Sequence, residues 1–314
     1  MLTLGIICPC YNEEEVLYTS AEILSNYLNQ LVNKNKISKN SFVLLVNDGS
    51  KDQTWKIIND LYNQKSYFKG LNLASNVGHQ NAIMAGMMTA KDKCDAIITM
   101  DVDLQDDIYA IEQMIDYYEK GYDIVYGVKK SRDADSFFKK STAITFYKLQ
   151  KAMGIKSIYN HADFRLLSNR ALNQLSKYKE RNLYLRGIIP MMGYPSATVD
   201  DYIKKRMAGS SKYTLKKMLT LALDGITSFS IKPISLIVYM GLICILICIM
   251  MVLHTLYVFF IGQTIPGWTS LMISIWFLGG LLLVSIGTIG IYIGKIYIEI
   301  KNRPLYNIEK LLWD

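Results

Sequence analysis

Short apolar runs and longer amphipathic segments alternate along the first two thirds of the chain. The apolar runs predict strands, and the segments with apolar residues at helical spacing predict helices. The predicted strands are 2–8, 42–47, 67–73, 96–100 and 124–127. The predicted helices are 16–32, 52–62, 78–89 and 108–119. This succession favours a largely parallel sheet with helices on both faces.

The last third of the chain differs, because it carries no charged side chain from residue 233 to 294. A bilayer core is crossed by about 20 helical residues, so this stretch is long enough for two spans. Gly and Pro in the segment 262–267 mark the turn between them. We therefore predict transmembrane helices at about 234–260 and 269–293, with Trp268 at the interface. Buried helices of a large soluble core are the alternative.

Basic residues lie before the first predicted span and after the second, but not in the loop that connects them. Lys232 precedes the first span, Lys295, Lys301 and Arg303 follow the second, and the loop between the spans carries no charge. By the positive-inside rule, both ends of the chain are expected in the cytoplasm. The chain is therefore predicted to be a multi-pass protein of the cell (inner, cytoplasmic) membrane, with its N-terminal domain and C-terminus cytoplasmic.

The net charge of +8 is concentrated in two places. Seven Lys and Arg residues lie between positions 129 and 151, and seven more between 204 and 232. Such clusters suit phosphate groups or an anionic membrane surface. Within the second cluster, the pattern of 211–226 fits an amphipathic helix on the membrane as well as an ordinary core helix. The five cysteines have neither the spacing of a zinc site nor that of a disulfide framework.

Polar side chains follow four of the predicted strands, at the ends where parallel sheets bind ligands. The segments that carry these polar residues are 9–14 after the first strand, 48–50 after the second, 76–78 after the third, and 101–105, with Asp101, Asp103 and Gln105, after the fourth. The carboxylates of Asp101 and Asp103 can reach one divalent ion, with the Gln105 carbonyl oxygen close by. Hard oxygen ligands of this kind favour Mg²⁺ or Mn²⁺. The sequence has no dinucleotide-binding glycine motif and no P-loop, which argues against a dehydrogenase or an NTPase.

Four segments together resemble family 2 glycosyltransferases of the GT-A fold. They are 9–14 (PCYNEE), 47–54 (NDGSKDQT), 76–80 (NVGHQ) and 101–106 (DVDLQD). Three later segments are similar to the dolichyl-phosphate mannose synthase branch, and in particular to bacterial bactoprenol glucosyltransferases. These are 161–167 (HADFRLL), 206–213 (RMAGSSKY) and 228–230 (SFS). The resemblance implies an α/β GT-A catalytic domain, Rossmann-like with a mostly parallel sheet, followed by two transmembrane helices.

The resemblance also implies roles for individual residues. The nucleotide-sugar pocket would be lined by Pro9, Tyr11, Glu13, Asp48 and Asp101, with Asp48 hydrogen-bonding the base. The metal ligands would be Asp101, Asp103 and Gln105, holding Mg²⁺ or Mn²⁺ on the diphosphate. The acceptor phosphate would meet Arg132, Arg206 and Lys212, and the predicted catalytic residues are Asp163, Asp103 and Arg206. The family usually has proline where this chain has Asp107, which should change the helix start but not the metal.

The implied reaction is transfer of a hexose from a nucleotide-sugar to polyprenyl (undecaprenyl) phosphate with inversion, giving a lipid-linked sugar for cell-surface glycans. UDP-glucose is the favoured donor, with UDP-N-acetylglucosamine and GDP-mannose as alternatives. A phosphate monoester has a second pKa near ~6 and is largely ionised at neutral pH. Asp163 is therefore expected to orient groups more than to abstract a proton. A non-catalytic membrane-docked module that binds a nucleotide-sugar or a lipid is the alternative from another class.

Four units are predicted along the chain. They are a cytoplasmic catalytic domain at 1–205, an amphipathic juxtamembrane segment at 206–232, the two spans within 233–294, and a cytoplasmic tail at 295–314. The expected partners are the nucleotide-sugar, polyprenyl phosphate and the membrane, and not nucleic acid. A homo-oligomer is left open.

Overall fold

The computed structural model describes residues 1–129, 161–180, 184–202 and 267–313, with single positions between 234 and 261. The strands of these residues are β1 (Leu4–Cys10), β2 (Phe42–Asn47), β3 (Phe68–Leu73), β4 (Ala96–Thr99), β5 (Ile124–Lys129), β6 (His161–Ser168), β7 (Ser196–Asp201) and β8 (Ile308–Leu312). They form one mixed sheet in the order β7-β5-β6-β4-β1-β2-β3-β8.

Strand direction decides which loops meet. β1 pairs in parallel with β2 and with β4, and β2 pairs in parallel with β3. β6 and β8 run against their neighbours, whereas β5 and β7 are parallel to each other and, through β6, to β4. The mostly parallel sheet predicted from the sequence is therefore confirmed. The carboxyl ends of β1 to β5 and of β7 meet the amino end of β6 at one edge, which we call the carboxyl edge.

Helices cover both faces of this sheet. The helices of the described residues are α1 (Leu17–Asn33), α2 (Thr54–Gln64), α3 (His79–Ala90), α4 (Ala110–Glu119), α5 (Asn169–Leu175), α6 (Leu185–Met191) and α7 (Trp268–Lys301). The apolar sides of α1, α2 and α4 pack on one face, and those of α3, α5 and α6 on the other. Gly86 lets α3 approach closely, because a Cβ there would lie 2.4 Å from Ile7 Cγ2.

The last strand, β8, follows α7 in the chain and completes the sheet beside β3. The two strands are antiparallel, with Gly70 opposite Leu312 and Leu73 opposite Ile308. Leu312 is buried. The sequence pattern predicts a cytoplasmic tail at 295–314 and gives no signal for this strand. The pairing places the end of the chain in the sheet of the N-terminal domain.

The helix α7 includes a segment, Phe277–Lys301, that is long and apolar enough to cross a membrane, and none of it is buried within the protein. The second predicted span, 269–293, lies within α7. The first, 234–260, is described only at single positions, and 206–232 lies outside the described residues. The part of the chain that the structure describes thus contains one helix that fits membrane association, where the sequence predicts two.

Candidate active site

The loop after β1 lies at the carboxyl edge and is fixed to the loop after β2. The main-chain N–H of Lys51 donates to Asn12 Oδ1 at 2.9 Å. Asn12 itself has a φ of 54°, a left-handed conformation that asparagine tolerates better than most residues. The predicted pocket residues Tyr11 and Glu13 lie on this loop. Pro9 lies within β1, because that strand ends two residues later than predicted.

Asp48 is buried where the loops after β2 and β3 meet. Its carboxylate accepts the main-chain N–H groups of Val77 at 2.7 Å and Gly78 at 3.1 Å, and its carbonyl oxygen accepts the Asn76 side-chain amide at 3.0 Å. The next residue, Gly49, has a φ of 63°, and a Cβ there would lie 2.4 Å from the main-chain nitrogen of Asn76. Only glycine fits this close approach. Burial raises the pKa of Asp48, although the hydrogen bonds from Val77 and Gly78 oppose the shift.

Asp101, Asp103 and Gln105 lie on the loop after β4. Leu104 between them has a φ of 50°, and the Gln105 main-chain N–H donates back to Asp103 Oδ1 at 3.3 Å. The Gln105 side chain also meets Asp103 through its amide nitrogen, which donates to Asp103 Oδ2. The loop is thereby folded so that its polar side chains are close together. The part played by Gln105 as a direct metal ligand stays a prediction.

This donor set fits Mg²⁺ or Mn²⁺. Such ions are held in proteins by one or two carboxylates, while waters and substrate phosphates complete the coordination. Within the described ranges, no group of three or more His, Cys, Asp or Glu side chains could enclose a metal by itself. Two carboxylates on one loop therefore suit an ion that is shared with a bound diphosphate.

Asp163, near the start of β6, lies at the centre of a charged cluster at the same edge. Its carboxylate accepts from Arg165, two residues along the strand, and from Arg186 Nη2 of α6 at 2.9 Å. His79, the first residue of α3, has its Nε2 atom 3.4 Å from Asp163 Oδ2 and 3.8 Å from Asp101 Oδ1. His79 therefore joins the loop after β4 to Asp163.

The charges in this cluster fix the ionisation of Asp163. Its side chain is 10% exposed, and that of Arg165 is 1% exposed. Burial alone would raise the pKa of Asp163, but Arg186, the hydrogen bond to His79 and Arg165 outweigh it and hold the pKa well below its usual range. Burial lowers the pKa of His79, yet the hydrogen bond to Asp163 and the charge of Asp101 raise it overall. These contacts therefore favour the ionised form of Asp163 and make it a poor proton acceptor.

Two arginines of this cluster were missed in the sequence. Arg165 is two residues from Asp163, so both side chains lie on one face of β6, and the motif at 161–167 could have indicated the pair. Arg186 lies on a short helix 23 residues from Asp163 and has no local pattern that points to the site. The other predicted residues, Arg132, Arg206 and Lys212, lie outside the described residues.

Asp107 stands where the resemblance leads one to expect proline. Its main-chain N–H donates to Asp201 Oδ1 at 2.9 Å, which a proline could not do. This bond ties the loop after β4 to the end of β7. The following helix, α4, begins at Ala110.

Comparison with known proteins agrees with this geometry. Residues 5–176 match glycosyl transferase family 2. The chain is 48% identical over 308 residues to the uncharacterized glycosyltransferase YkoT of Bacillus subtilis, covering 98% of this chain and 91% of that protein. It is 37% identical over 314 residues to the bactoprenol glucosyl transferase of Shigella phage SfII, covering 98% of each. It is also 37% identical over 315 residues to the uncharacterized glycosyltransferase sll0501 of Synechocystis, covering 99% of this chain and 96% of that protein.

The chain belongs to glycosyl transferase family 2 and is a glycosyltransferase. The resemblance drawn from its motifs, including the bactoprenol glucosyltransferase-like branch, is confirmed. The catalytic domain has the mixed, mostly parallel sheet that the GT-A fold implies.

Proposed function

We propose that this glycosyltransferase moves a hexose from a nucleotide-sugar, with UDP-glucose as the first candidate, to undecaprenyl or a similar polyprenyl phosphate, with inversion. One observation carries the proposal: His79 joins the acidic loop after β4 to the arginine-held Asp163 at the carboxyl edge. The name of the phage SfII relative, which matches along nearly its whole length, supports glucose and a bactoprenol acceptor.

The leaving diphosphate must be stabilised as the glycosidic bond breaks. Asp101 and Asp103, with Gln105, would hold Mg²⁺ or Mn²⁺, which supplies positive charge to that diphosphate when bound. The chain's own part is to present the two carboxylates on a folded loop. Asp48 and the loop of Tyr11 and Glu13 are proposed to bind the nucleoside beside it.

The acceptor does not need a strong base. A polyprenyl phosphate is already an anion at neutral pH, so its oxygen can attack the sugar without giving up a proton. The ion pairs of Asp163 with Arg165 and Arg186 suit this chemistry, because a carboxylate with a depressed pKa orients its neighbours and accepts protons poorly. We propose Arg132, Arg206 and Lys212 as the residues that meet the acceptor phosphate.

The sheet also supports two membrane spans. β7 and β8 belong to the same sheet, so residues 201 and 308 lie on the same side of any membrane. If α7, which is long and apolar enough to cross a membrane, makes one crossing, the chain between these residues makes a second one, because the number of crossings must be even. The described side chains at Tyr239, Leu246 and Leu253 are helical, apolar and exposed, which agrees with a second crossing near 234–260.

The catalytic test uses the full chain in detergent with undecaprenyl phosphate and each of UDP-glucose, UDP-N-acetylglucosamine and GDP-mannose. We expect lipid-linked sugar from UDP-glucose, and loss of product with excess chelator or in Asp103→Ala. The matched control is Asp92→Ala, an exposed carboxylate at the opposite edge of the sheet. Binding of the nucleotide-sugar without product from any donor would favour the non-catalytic module.

The membrane test is labelling of Gln263→Cys in intact cells with an impermeant thiol reagent. With two spans, this residue lies on the outer side and is labelled before lysis. The wild-type chain, with its own cysteines, is the control. Labelling only after lysis would contradict two spans.

A further inference from the structure

The strand that follows the membrane helix is hydrogen-bonded to the loop after β2 through side chains. Glu309 of β8 accepts from the Asn72 side-chain nitrogen at 2.7 Å. Asn72 Oδ1 in turn accepts from the Asn47 side-chain nitrogen at 2.6 Å. Asn47 Oδ1 then accepts the main-chain N–H of Ser50 at 3.4 Å. These three hydrogen bonds, through side chains on three adjacent strands, connect β8 to the turn 47–50. We call this series of hydrogen bonds the relay.

The carboxylate of Glu309 sets the direction of this relay. An ionised carboxylate can only accept hydrogen bonds, whereas a side-chain amide accepts at its oxygen and donates at its nitrogen. Glu309 therefore draws the Asn72 nitrogen towards itself and leaves the Asn72 oxygen facing Asn47. Asn47 must then donate, which leaves its own oxygen to face the turn.

Burial of Asn47 and Asn72 makes the donor and acceptor directions of their amides important. Asn47 is 3% exposed and Asn72 is 8% exposed, so water cannot readily replace a lost partner for either amide. Glu309 lies on the exposed edge strand and is the end of the relay that solvent reaches. At the other end is the turn that carries Asp48 and Gly49.

We propose that Glu309 is a positioning residue for the nucleotide site, because it orients Asn72 and Asn47 and thereby holds the turn 47–50. The inference rests on the proposed function in one respect, namely that this turn binds the nucleoside diphosphate. The docking of β8, which is separated from α7 by the six residues 302–307, is then part of donor binding.

The test measures UDP and GDP binding to the full chain in detergent by calorimetry, with thermal unfolding recorded for each variant. Glu309→Gln keeps an acceptor oxygen for Asn72, so its UDP affinity should stay within about twofold of wild type. Glu309→Ala removes the acceptor and should weaken UDP about three- to tenfold. Glu309→Lys offers only donors, would reverse the relay, and should weaken UDP most. Lys310→Ala, on the same exposed strand, is the matched control and should bind as wild type.

A double-mutant cycle separates positioning from general loosening of the strand. In an Asn72→Ala background the relay is already broken, so Glu309→Ala should weaken UDP no further. Equal weakening in both backgrounds, or loss of affinity that follows the unfolding temperature across all variants, would overturn the inference. So would wild-type affinity in both Glu309→Ala and Glu309→Lys. If the wild-type chain binds neither UDP nor GDP, the proposed function is wrong and this inference falls with it.

Discussion

Asp48 and Asp163 are both buried aspartates at the carboxyl edge, yet their surroundings move their pKa values in opposite directions. Asp48 receives two main-chain N–H groups, and burial still raises its pKa. Asp163 is buried too, but Arg186, His79 and Arg165 lower its pKa well below the usual range. The contrast teaches that burial does not decide the charge of a carboxylate. Two buried or half-buried arginines and His79 outweigh desolvation at Asp163, whereas two main-chain N–H groups and the more distant charge of His79 do not outweigh it at Asp48.

The two halves of the edge therefore suit different tasks. The half around Asp48 is held by main-chain hydrogen bonds between loops, which fixes shape and suits recognition of a nucleoside. The half around Asp163 is held by charged side chains, which fixes a local electrostatic field and suits a site where charge develops during transfer. Substitutions at matched positions in the two halves test this division.

The largest effect is expected for Asp163→Asn. The amide would leave Arg165 and Arg186 without their counter-charge, and breaking a buried pair in this way costs about 3–5 kcal/mol of stability. The transfer rate at saturating substrates should fall at least about a hundredfold, because the field at the reacting centre is lost. Steady-state kinetics and chemical denaturation of the same preparation measure both effects. A variant that keeps more than a tenth of the wild-type rate would show that Asp163 is structural only.

A smaller loss is expected when Arg186 is changed, because Arg165 still faces Asp163. Arg186→Gln should lower the transfer rate about tenfold or more. The rate of Arg186→Lys should lie between those of wild type and Arg186→Gln, since lysine keeps the charge but loses the planar guanidinium group. The control is Arg170→Gln, an exposed arginine of α5 that pairs with Asp123 at the opposite edge. Equal rates for the Arg186 and Arg170 variants would remove Arg186 from the site.

Asp48→Asn should act on binding and not on the rate. Its oxygen can still accept one main-chain N–H, but its amide nitrogen would face the other, so the loop that carries Val77 and Gly78 must shift. We expect the KM for the nucleotide-sugar to rise about tenfold, with the rate at saturation changed less than about threefold. A fall in the saturated rate equal to that of Asp163→Asn would erase the distinction between the two halves.

The same division explains what the sequence could predict. The recognition half is built from β1, β2 and β3, whose apolar runs and polar ends are visible as local patterns around residues such as Asp48 and Gly49. The loop after β4, which carries the proposed metal ligands Asp101 and Asp103, is equally visible in the spacing of these two residues. Arg186 could not be found this way, because it reaches Asp163 from a seven-residue helix with no local pattern of its own.

The strand β8 was hidden for a related reason. It is five residues long, its centre is the charged pair Glu309 and Lys310, and it lies at the edge of the sheet. Its partner strand is more than 200 residues away, as the Asn72–Glu309 bond shows with a separation of 237 residues. Periodicity reports local structure, whereas an edge strand of this kind is defined by a distant partner.

The smallest effect is expected at a third aspartate, Asp123, which resembles Asp163 in its partner but lies at the opposite edge. It is buried and accepts from Arg170 and, at 2.7 Å, from Ser168 Oγ. Burial opposes ionisation, but Arg170 and Ser168 lower the pKa of Asp123 overall. Arg170 is largely exposed, so solvent screens part of its charge. Asp123→Asn should therefore cost only about 1–2 kcal/mol at neutral pH.

The pH dependence of that cost follows from the direction of the shift. A carboxylate with a depressed pKa stabilises the fold above its unfolded pKa of about 4, and this stabilisation is lost as the pH falls through the lower folded value. The difference in unfolding free energy between wild type and Asp123→Asn should accordingly shrink as the pH is lowered below about 4. Denaturant titrations at several pH values measure it, with the transfer rate at neutral pH expected to be unchanged. A large loss of rate in Asp123→Asn would mean that the two edges are coupled, and that an arginine-held aspartate matters to catalysis wherever it lies in this sheet.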